Sequence, residues 1–157
     1  MLNYNSVIKN EIKQESISVK EISPVIKINL RGKKREFLTN VGKNLNMILP
    51  TEANTSTTSD KLTAIWLSPD EWMIISNELA SKDTNKSDLY EMLFNSISKT
   101  NLGAVIDVTD QFVQLELKGE NVYEIFSAGS PFNFNEFKEK KGSTTQTVLN
   151  HVDVILH

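Results

Sequence analysis

The chain has 157 residues, a formal net charge of −3, 39% hydrophobic and 24% charged residues, and no Cys. This length predicts one domain or two closely packed halves with one sizeable core. The absence of Cys excludes disulfides and thiol chemistry, the acidic balance disfavours nucleic-acid binding, and no apolar run reaches the ~20 residues of a membrane span. Residues 1–20 contain no continuous apolar stretch, so we expect a soluble cytoplasmic protein without a signal peptide.

Apolar periodicity predicts short strands and helices along the chain. Alternating apolar residues are typical of half-buried strands, and apolar residues three and four positions apart are typical of amphipathic helices. The predicted strands cover residues 16–22, 25–30, 104–108, 112–117, 144–149 and 152–156, with a hairpin over residues 61–77. The predicted helices cover residues 34–46, 88–99 and 120–128, the last with Gly129 as its left-handed C-terminal cap.

Polar stretches predict the connections between these elements. Residues 1–15 are weakly patterned and indicate a flexible N-terminal arm before a single domain over residues 16–157. Thr51 to Asp60 and Ser81 to Ser87 are rich in small polar residues and indicate loops.

The order of the elements predicts the fold class. Strand, strand and helix follow one another three times, and two closing strands end the chain. Antiparallel pairs separated by single helices favour an α+β fold with a mainly antiparallel sheet and the helices on one side.

The clearest local pattern lies between the two tryptophans of the chain, Trp66 and Trp72. Two short apolar runs flank Ser68-Pro69-Asp70-Glu71. Pro69 fixes its own φ and Asp70 can bond to nearby backbone, so the pattern predicts a tight turn between antiparallel strands.

Residues that could carry catalysis or bind a metal are few. The chain has only two histidines, His151 and His157, which are six residues apart near the C-terminus and do not indicate a catalytic triad or a metal site. The acidic residues at 70, 71, 107 and 110 flank predicted turns, where carboxylates usually bond to backbone. No Gly-rich phosphate-binding pattern occurs. We therefore predict no catalytic, cofactor-binding or metal-binding residue on this chain.

Four aromatic residues are candidates for a partner interface. Trp66 and Trp72 flank the hairpin turn, and Phe132 and Phe134 follow a helix stop without a regular period. Aromatic residues in such positions either pack in the core or anchor a protein interface. The basic run Lys33-Lys34-Arg35 similarly indicates either a solvated helix face or a contact to an acidic partner.

Five stretches together resemble the gamma subunit of heterotetrameric sarcosine oxidase. The segment from Trp66 to Trp72 resembles the Trp-Leu-Gly-Pro-Asp-Glu-Trp signature of that family, with Ser68 in place of Gly. The others match in order, with Ser130 in place of the family's Cys. They are Leu30-Arg31-Gly32, Asp107-Val108-Thr109-Asp110, Ala128-Gly129-Ser130-Pro131-Phe132 and Gln146-Thr147.

The resemblance, which spans residues 17–156, implies a fold and a role. The fold would be that of the folate-binding aminomethyltransferase of the glycine cleavage system. The role would be that of a non-catalytic subunit in a complex that oxidatively demethylates sarcosine to glycine. The implied partners are the alpha, beta and delta subunits, which would hold FAD, FMN, NAD, tetrahydrofolate and a zinc ion, with no cofactor on this chain.

Two other functions stay open at this point. The chain could be a free-standing folate-binding protein of aminomethyltransferase type, although it lacks the Lys-Gly-Cys-Tyr-type motif of related iron–sulfur-assembly proteins. It could also be an interaction domain of an unrelated complex. Partner co-purification and tetrahydrofolate titration separate these functions.

Overall fold

The computed structural model describes residues 5–79 and 88–157, and it has an α+β fold with antiparallel sheets. Two compact units make up the fold. The first is Pro24–Gln111, and the second combines residues 5–23 with residues 112–157. The predicted α+β class is therefore confirmed, while the boundary between arm and domain at residue 15 stays a prediction. The predicted connector Ser81–Ser87 lies outside the described residues.

The described residues form ten strands, four α-helices, one π-helical turn and one 3-10 turn. The strands are β1 (Ile12–Gln14), β2 (Ile17–Ile22), β3 (Val25–Arg31), β4 (Ser56–Thr58), β5 (Leu62–Ser68), β6 (Glu71–Leu79), β7 (Ala104–Asp107), β8 (Gln114–Lys118), β9 (Thr145–Leu149) and β10 (Val152–Leu156). The helices are α1 (Arg35–Leu45), α2 (Asp88–Leu93), which continues as the π-helical turn Phe94–Ser98, α3 (Val122–Gly129) and α4 (Asn135–Glu139), and the 3-10 turn is Thr109–Gln111. None of the described helices is long and apolar enough to cross a membrane.

The first unit contains a five-stranded sheet in the order β4-β5-β6-β3-β7. Strand β3 lies between β6 and β7, and its Ile28 and Leu30 are fully buried. Alternate residues of a strand share a face, so these two side chains point to the same side of the sheet. They join residues from α1, α2 and the π-helical turn in one hydrophobic core. The sheet therefore packs its helices on one face.

Helix α1 forms because its apolar residues recur every four positions. Phe37, Val41 and Leu45 are buried on one stripe, and burying a side chain of this size contributes about 1.5–3 kcal/mol. The helix ends at Asn46, whose φ of 49° is left-handed, and the amide of Met47 donates to the Gly42 carbonyl at 3.2 Å. This ending turns the chain sharply toward residues 47–50.

The second unit contains a three-stranded sheet, a hairpin and two helices. The sheet order is β1-β2-β8, and β9 pairs with β10 over residues 145–156. The hairpin turn is tight because Asn150 adopts a left-handed φ of 56°. Both closing strands are found where apolar alternation predicts them.

Two predicted strand pairs do not form. The strands over residues 16–22 and 25–30 do not pair with each other, because β2 pairs with β8 and β3 pairs with β7. The strands over residues 104–108 and 112–117 are separated in the same way. Pro24, which has no amide hydrogen, and the 3-10 turn mark the two positions where the chain leaves one sheet for the other. Each predicted pair joins strands that are adjacent in the sequence, whereas β2 and β3 pair with β8 and β7, which are distant in the sequence.

Four local predictions also differ from the structure. Strand β4 lies within the predicted loop Thr51 to Asp60 and pairs with β5, and β1 lies within the predicted arm and pairs with β2. Val113 and Leu115 are exposed although their alternation predicts a half-buried strand. Gly129 does not adopt a left-handed φ. It is the last residue of α3, and a Cβ there would lie 2.8 Å from Leu149 Cδ1, so this end of the helix lies close to β9.

Candidate functional site

Three of the five motifs meet at strand β3. The motif Leu30-Arg31-Gly32 ends β3, and Leu30 and Arg31 lie opposite Trp72 and Glu71 of the tryptophan hairpin. The amide of Gly32 donates to the Asp70 carbonyl at 2.9 Å. These bonds fix the end of β3 against the hairpin turn.

The hairpin turn is closed by Pro69 and Asp70, as its sequence predicts. Ser68 pairs with Glu71, and Trp66 pairs with Trp72 across one irregularity at Leu67. The Ser68 hydroxyl donates to the Asp70 carboxylate at 3.0 Å. The backbone of Ser68 lies outside the left-handed region, so this position does not require the glycine of the family signature.

Asp70 is the electrostatic centre of this turn. The Ser68 hydroxyl, followed by the cations of Lys33 and Arg31, holds the pKa of the Asp70 carboxyl below its usual value. Its carboxylate lies 3.5 Å from Lys33 Nζ and 3.9 Å from Arg31 Nε. The adjacent Glu71 accepts a bond from the Asn29 side chain at 2.8 Å. Both carboxylates therefore bind side chains of this chain, whereas the sequence predicts bonds to backbone for acidic residues in turns.

The motif Asp107 to Asp110 lies on the other side of β3. The Asp107 carboxylate accepts the Thr109 amide at 3.0 Å, which closes the turn locally. The Thr109 hydroxyl accepts the backbone amide of Lys27 at 3.0 Å, and the Val108 amide donates to the Lys27 carbonyl at 2.9 Å. The motif therefore continues the hydrogen bonding to β3 at Lys27, beyond the end of β7.

Lys27 is buried on β3, although lysine is a residue type that is usually exposed. Its Nζ donates to the Val25 carbonyl at 3.3 Å. Burial lowers the pKa of the Lys27 ammonium, and the charge of Asp110 opposes the shift in part. The alternation Val25, Lys27, Asn29 places the lysine on the sheet face opposite Ile28, which is the one signal in the sequence that bears on its position.

The remaining two motifs meet in the second unit. Ser130 is buried, and its hydroxyl lies 2.9 Å from the hydroxyl of Thr147 in the Gln146-Thr147 motif. The Asn150 amide donates to the Gly129 carbonyl at 2.6 Å. The end of α3 is thereby tied to the closing hairpin by one side-chain bond and one backbone bond.

Aromatic rings form a cluster beside Ser130. Phe132 and Phe134 have ring centroids 4.9 Å apart in an edge-on arrangement, and Phe126 stacks on Phe134 at 5.6 Å. Tyr123 and Phe137 complete the cluster with centroids 6.4 Å apart. Such edge-on and offset contacts contribute about 0.5–1.5 kcal/mol each beyond area burial. The aperiodic aromatic stretch thus packs against helix α3.

The four candidate interface residues differ in burial. Trp72 is 3% exposed and Phe134 is buried. Both side chains therefore lie in the interior, as the core alternative predicts for these two residues. Trp66 is partly buried against the core of the first unit, and Phe132 is partly buried in the aromatic cluster. An interface role for the set stays a prediction, and only Trp66 and Phe132 present side-chain surface for it.

The described residues contain no cluster of side chains that could bind a metal ion, and both histidines lie near the end of the chain. His151 lies in the turn before β10 and His157 follows β10, both on the surface. Within residues 5–79 and 88–157, no three His, Asp or Glu side chains are placed to hold a metal ion together.

A cleft at the C-terminal end of α1 was not predicted from the sequence. Its volume is about 580 Å³, and its lining includes Leu38, Gly42, Lys43, Met47 and Ile48. The run Met47-Ile48-Leu49 is apolar, and two of its members are buried while Ile48 is 82% exposed. No alternation of apolar and polar residues marks this run, so its sequence contains no signal for the exposure of Ile48.

Comparisons with known proteins identify a solved structure with a similar fold. No family model matches the sequence, and no curated protein matches it. Among solved structures, the fold is similar to a chain of the heterotetrameric sarcosine oxidase from Corynebacterium sp. U-96, determined in complex with pyrrole 2-carboxylate. The TM-score is 0.78 at 17% sequence identity, and the match covers 93% of this chain and 72% of that chain. The likeness to sarcosine oxidase that the motifs predict is therefore confirmed at the level of the fold.

Proposed function

We propose that this chain is the gamma-type, non-catalytic subunit of a cytoplasmic, sarcosine-oxidase-like heterotetramer. Its partners are subunits of alpha, beta and delta type. In this proposal the complex demethylates sarcosine oxidatively to glycine, and the other chains hold FAD, FMN, NAD and tetrahydrofolate. The observation that supports the proposal best is the shared fold over 93% of the chain with a chain of such an enzyme.

The contacts of the motif residues support a structural role. Asp70 binds Ser68, Lys33 and Arg31, and Asp107 caps the Thr109 amide. Ser130 bonds to Thr147. Asp70, Asp107 and Ser130 therefore each have a partner within the chain that stabilises a turn or a junction. Side chains that are bonded within the chain in this way stabilise its fold, which favours a structural role over proton transfer.

Co-expression tests the proposal. The chain is produced with the three other subunits of the complex encoded in its own genome, and we expect all four to co-elute in gel filtration with sarcosine-dependent oxidation. Omitting this chain should lower the yield of the assembled complex. Failure of the chain to co-elute contradicts the proposal.

Tetrahydrofolate titration tests the main alternative. Under the proposal the isolated chain does not bind tetrahydrofolate, which can be measured by calorimetry. Tight binding would instead support a free-standing folate-binding protein. If the chain neither co-elutes with the other subunits nor binds tetrahydrofolate, the remaining function is that of an interaction domain of an unrelated complex.

A further inference from the structure

We infer that the cleft at the end of α1 docks an acidic, apolar-anchored segment of a partner polypeptide. The inference rests on the proposed function, because the partner is one of the other subunits of the complex. The docking surface, called the α1 groove, includes Leu38, Thr39, Gly42, Lys43, Met47 and Ile48 among its lining residues.

Ile48 is held on the surface by its neighbours. Met47 and Leu49 on either side are 8% and 5% exposed, whereas Ile48 is 82% exposed. The Met47 amide is bonded to Gly42, and the Pro50 carbonyl accepts the buried indole of Trp72. Because both sides of the segment are fixed, Ile48 cannot turn inward without breaking these contacts. An exposed apolar side chain on a backbone fixed at both sides is pre-positioned for binding.

The lining of the α1 groove fits side chains of another protein. Leu38, Met47 and Ile48 supply aliphatic surface, and Gly42 brings the helix backbone close to residues 47–49, since a Cβ there would lie 3.3 Å from the Met47 carbonyl oxygen. A volume of about 580 Å³ is large enough for more than one apolar side chain. Lys43 is the one ionisable residue in the lining. The other polar residues of the lining, Thr39, Asn46 and Thr51, are uncharged.

Charge complementarity identifies the kind of segment. Residues 33–46 include four basic residues and one acidic residue in a chain whose net charge is −3. Arg35, Thr39 and Lys43 are exposed at intervals of four on one side of α1, and Lys43 borders the α1 groove. Within the described residues, neither Arg35 nor Lys43 has an ion-pair partner. A partner segment with carboxylates beside an apolar anchor complements this side.

Binding of charge and anchor variants to the purified subcomplex of the three other subunits tests the inference. Ile48→Asp should raise Kd by about tenfold or more, as expected for an anchor. Lys43→Glu should also weaken binding and reduce its dependence on salt. Val152→Asp and Lys138→Glu are matched controls on exposed positions of the second unit and should change Kd by less than about twofold. Circular dichroism should show unchanged melting for Ile48→Asp, because the side chain is exposed.

Each outcome has a distinct meaning. Wild-type binding with equal binding of Ile48→Asp overturns the inference and leaves the proposed function standing. If the wild-type chain self-associates and Ile48→Asp abolishes only that association, the occupant is a second copy and the inference is wrong. If the wild-type chain does not bind the subcomplex, the proposed function fails and the inference fails with it. Equal losses in the control variants would show a non-specific effect and also overturn the inference.

Discussion

Trp72 donates its indole Nε1–H to the Pro50 carbonyl oxygen at 2.7 Å, and both groups are buried. The Trp72 ring also lies 5.8 Å from the ring of Phe37 in α1. One side chain of the hairpin therefore holds both the helix and the segment that follows it. This relationship gives the family-like tryptophan motif a physical function, since it holds Pro50, whose neighbours Leu49 and Thr51 line the α1 groove.

Replacing Trp72 with Phe should destabilise the chain by about 1–3 kcal/mol, because the buried Pro50 carbonyl loses its donor. Urea unfolding measures this change. Trp66→Phe is the matched control, since Trp66 is only partly buried and is expected to cost less. Equal losses in both variants would contradict a specific contribution of the indole bond.

Asp70→Asn should destabilise the chain at pH 7 but not in strong acid. The pKa of Asp70 is lowered in the folded state, chiefly by the Ser68 hydroxyl and then by Lys33 and Arg31. A carboxyl with a lowered folded-state pKa stabilises the fold above its unfolded-state pKa, and this stabilisation is lost as pH falls through the folded-state pKa. The stability difference between variant and wild type should therefore shrink as pH drops below about 4.

Urea unfolding at a series of pH values measures this difference. Asp153→Asn, at an exposed position on β10, is the control and should show little difference from wild type at neutral pH. A difference for Asp70→Asn that stays constant down to the acid limit would show that the carboxylate charge is not its cause.

Local structure was predictable from the sequence where one stretch of chain determined it. The stripe of Phe37, Val41 and Leu45 predicts α1, and Pro69-Asp70 predicts the hairpin turn, because periodicity and turn chemistry act over a few residues. The pairing of β2 with β8 joins residues about 100 positions apart. Apolar alternation specifies a strand but not its partner, so this exchange between sheets could not be predicted.

The candidate site was predictable in its parts and not in its arrangement. The motifs were visible as separate stretches, but their meeting at β3 depends on the pairing of β3 with β6 and β7. Lys27 illustrates the same limit, since a lysine in a strand is usually exposed and this one is buried. Ile48 is the opposite case, because an isoleucine is usually buried and this one is 82% exposed.

Ser130→Ala should destabilise the chain by about 1 kcal/mol, since the Ser130 hydroxyl joins the end of α3 to Thr147 at 2.9 Å. It also accepts the Phe132 amide at 3.2 Å, which positions the aromatic cluster. Ser143→Ala removes an exposed hydroxyl bond to the Lys140 carbonyl and is the control, with an expected change below about 0.5 kcal/mol. Thermal unfolding distinguishes the two, and a larger loss in the control would argue against the Ser130 junction.

Lys27→Met should stabilise the chain at neutral pH. Lys27 is 3% exposed, and burial lowers its pKa below the ordinary 10.5. A lysine with a lowered folded-state pKa opposes folding while it is charged, and this cost diminishes as pH rises from the folded-state pKa toward the unfolded-state pKa. Met keeps the aliphatic length without the charge. Its advantage over Lys should therefore be largest near pH 7 and decrease toward pH 10.

Urea unfolding between pH 7 and pH 10 follows this advantage directly. Lys20→Met, at an exposed position on β2, controls for a general effect of removing a positive charge. The Lys27 Nζ bond to the Val25 carbonyl at 3.3 Å opposes the expected gain, because Met cannot donate to that oxygen. A Lys27→Met variant that is less stable than wild type at pH 7 would show that this bond and the Asp110 charge outweigh the cost of burying the ammonium.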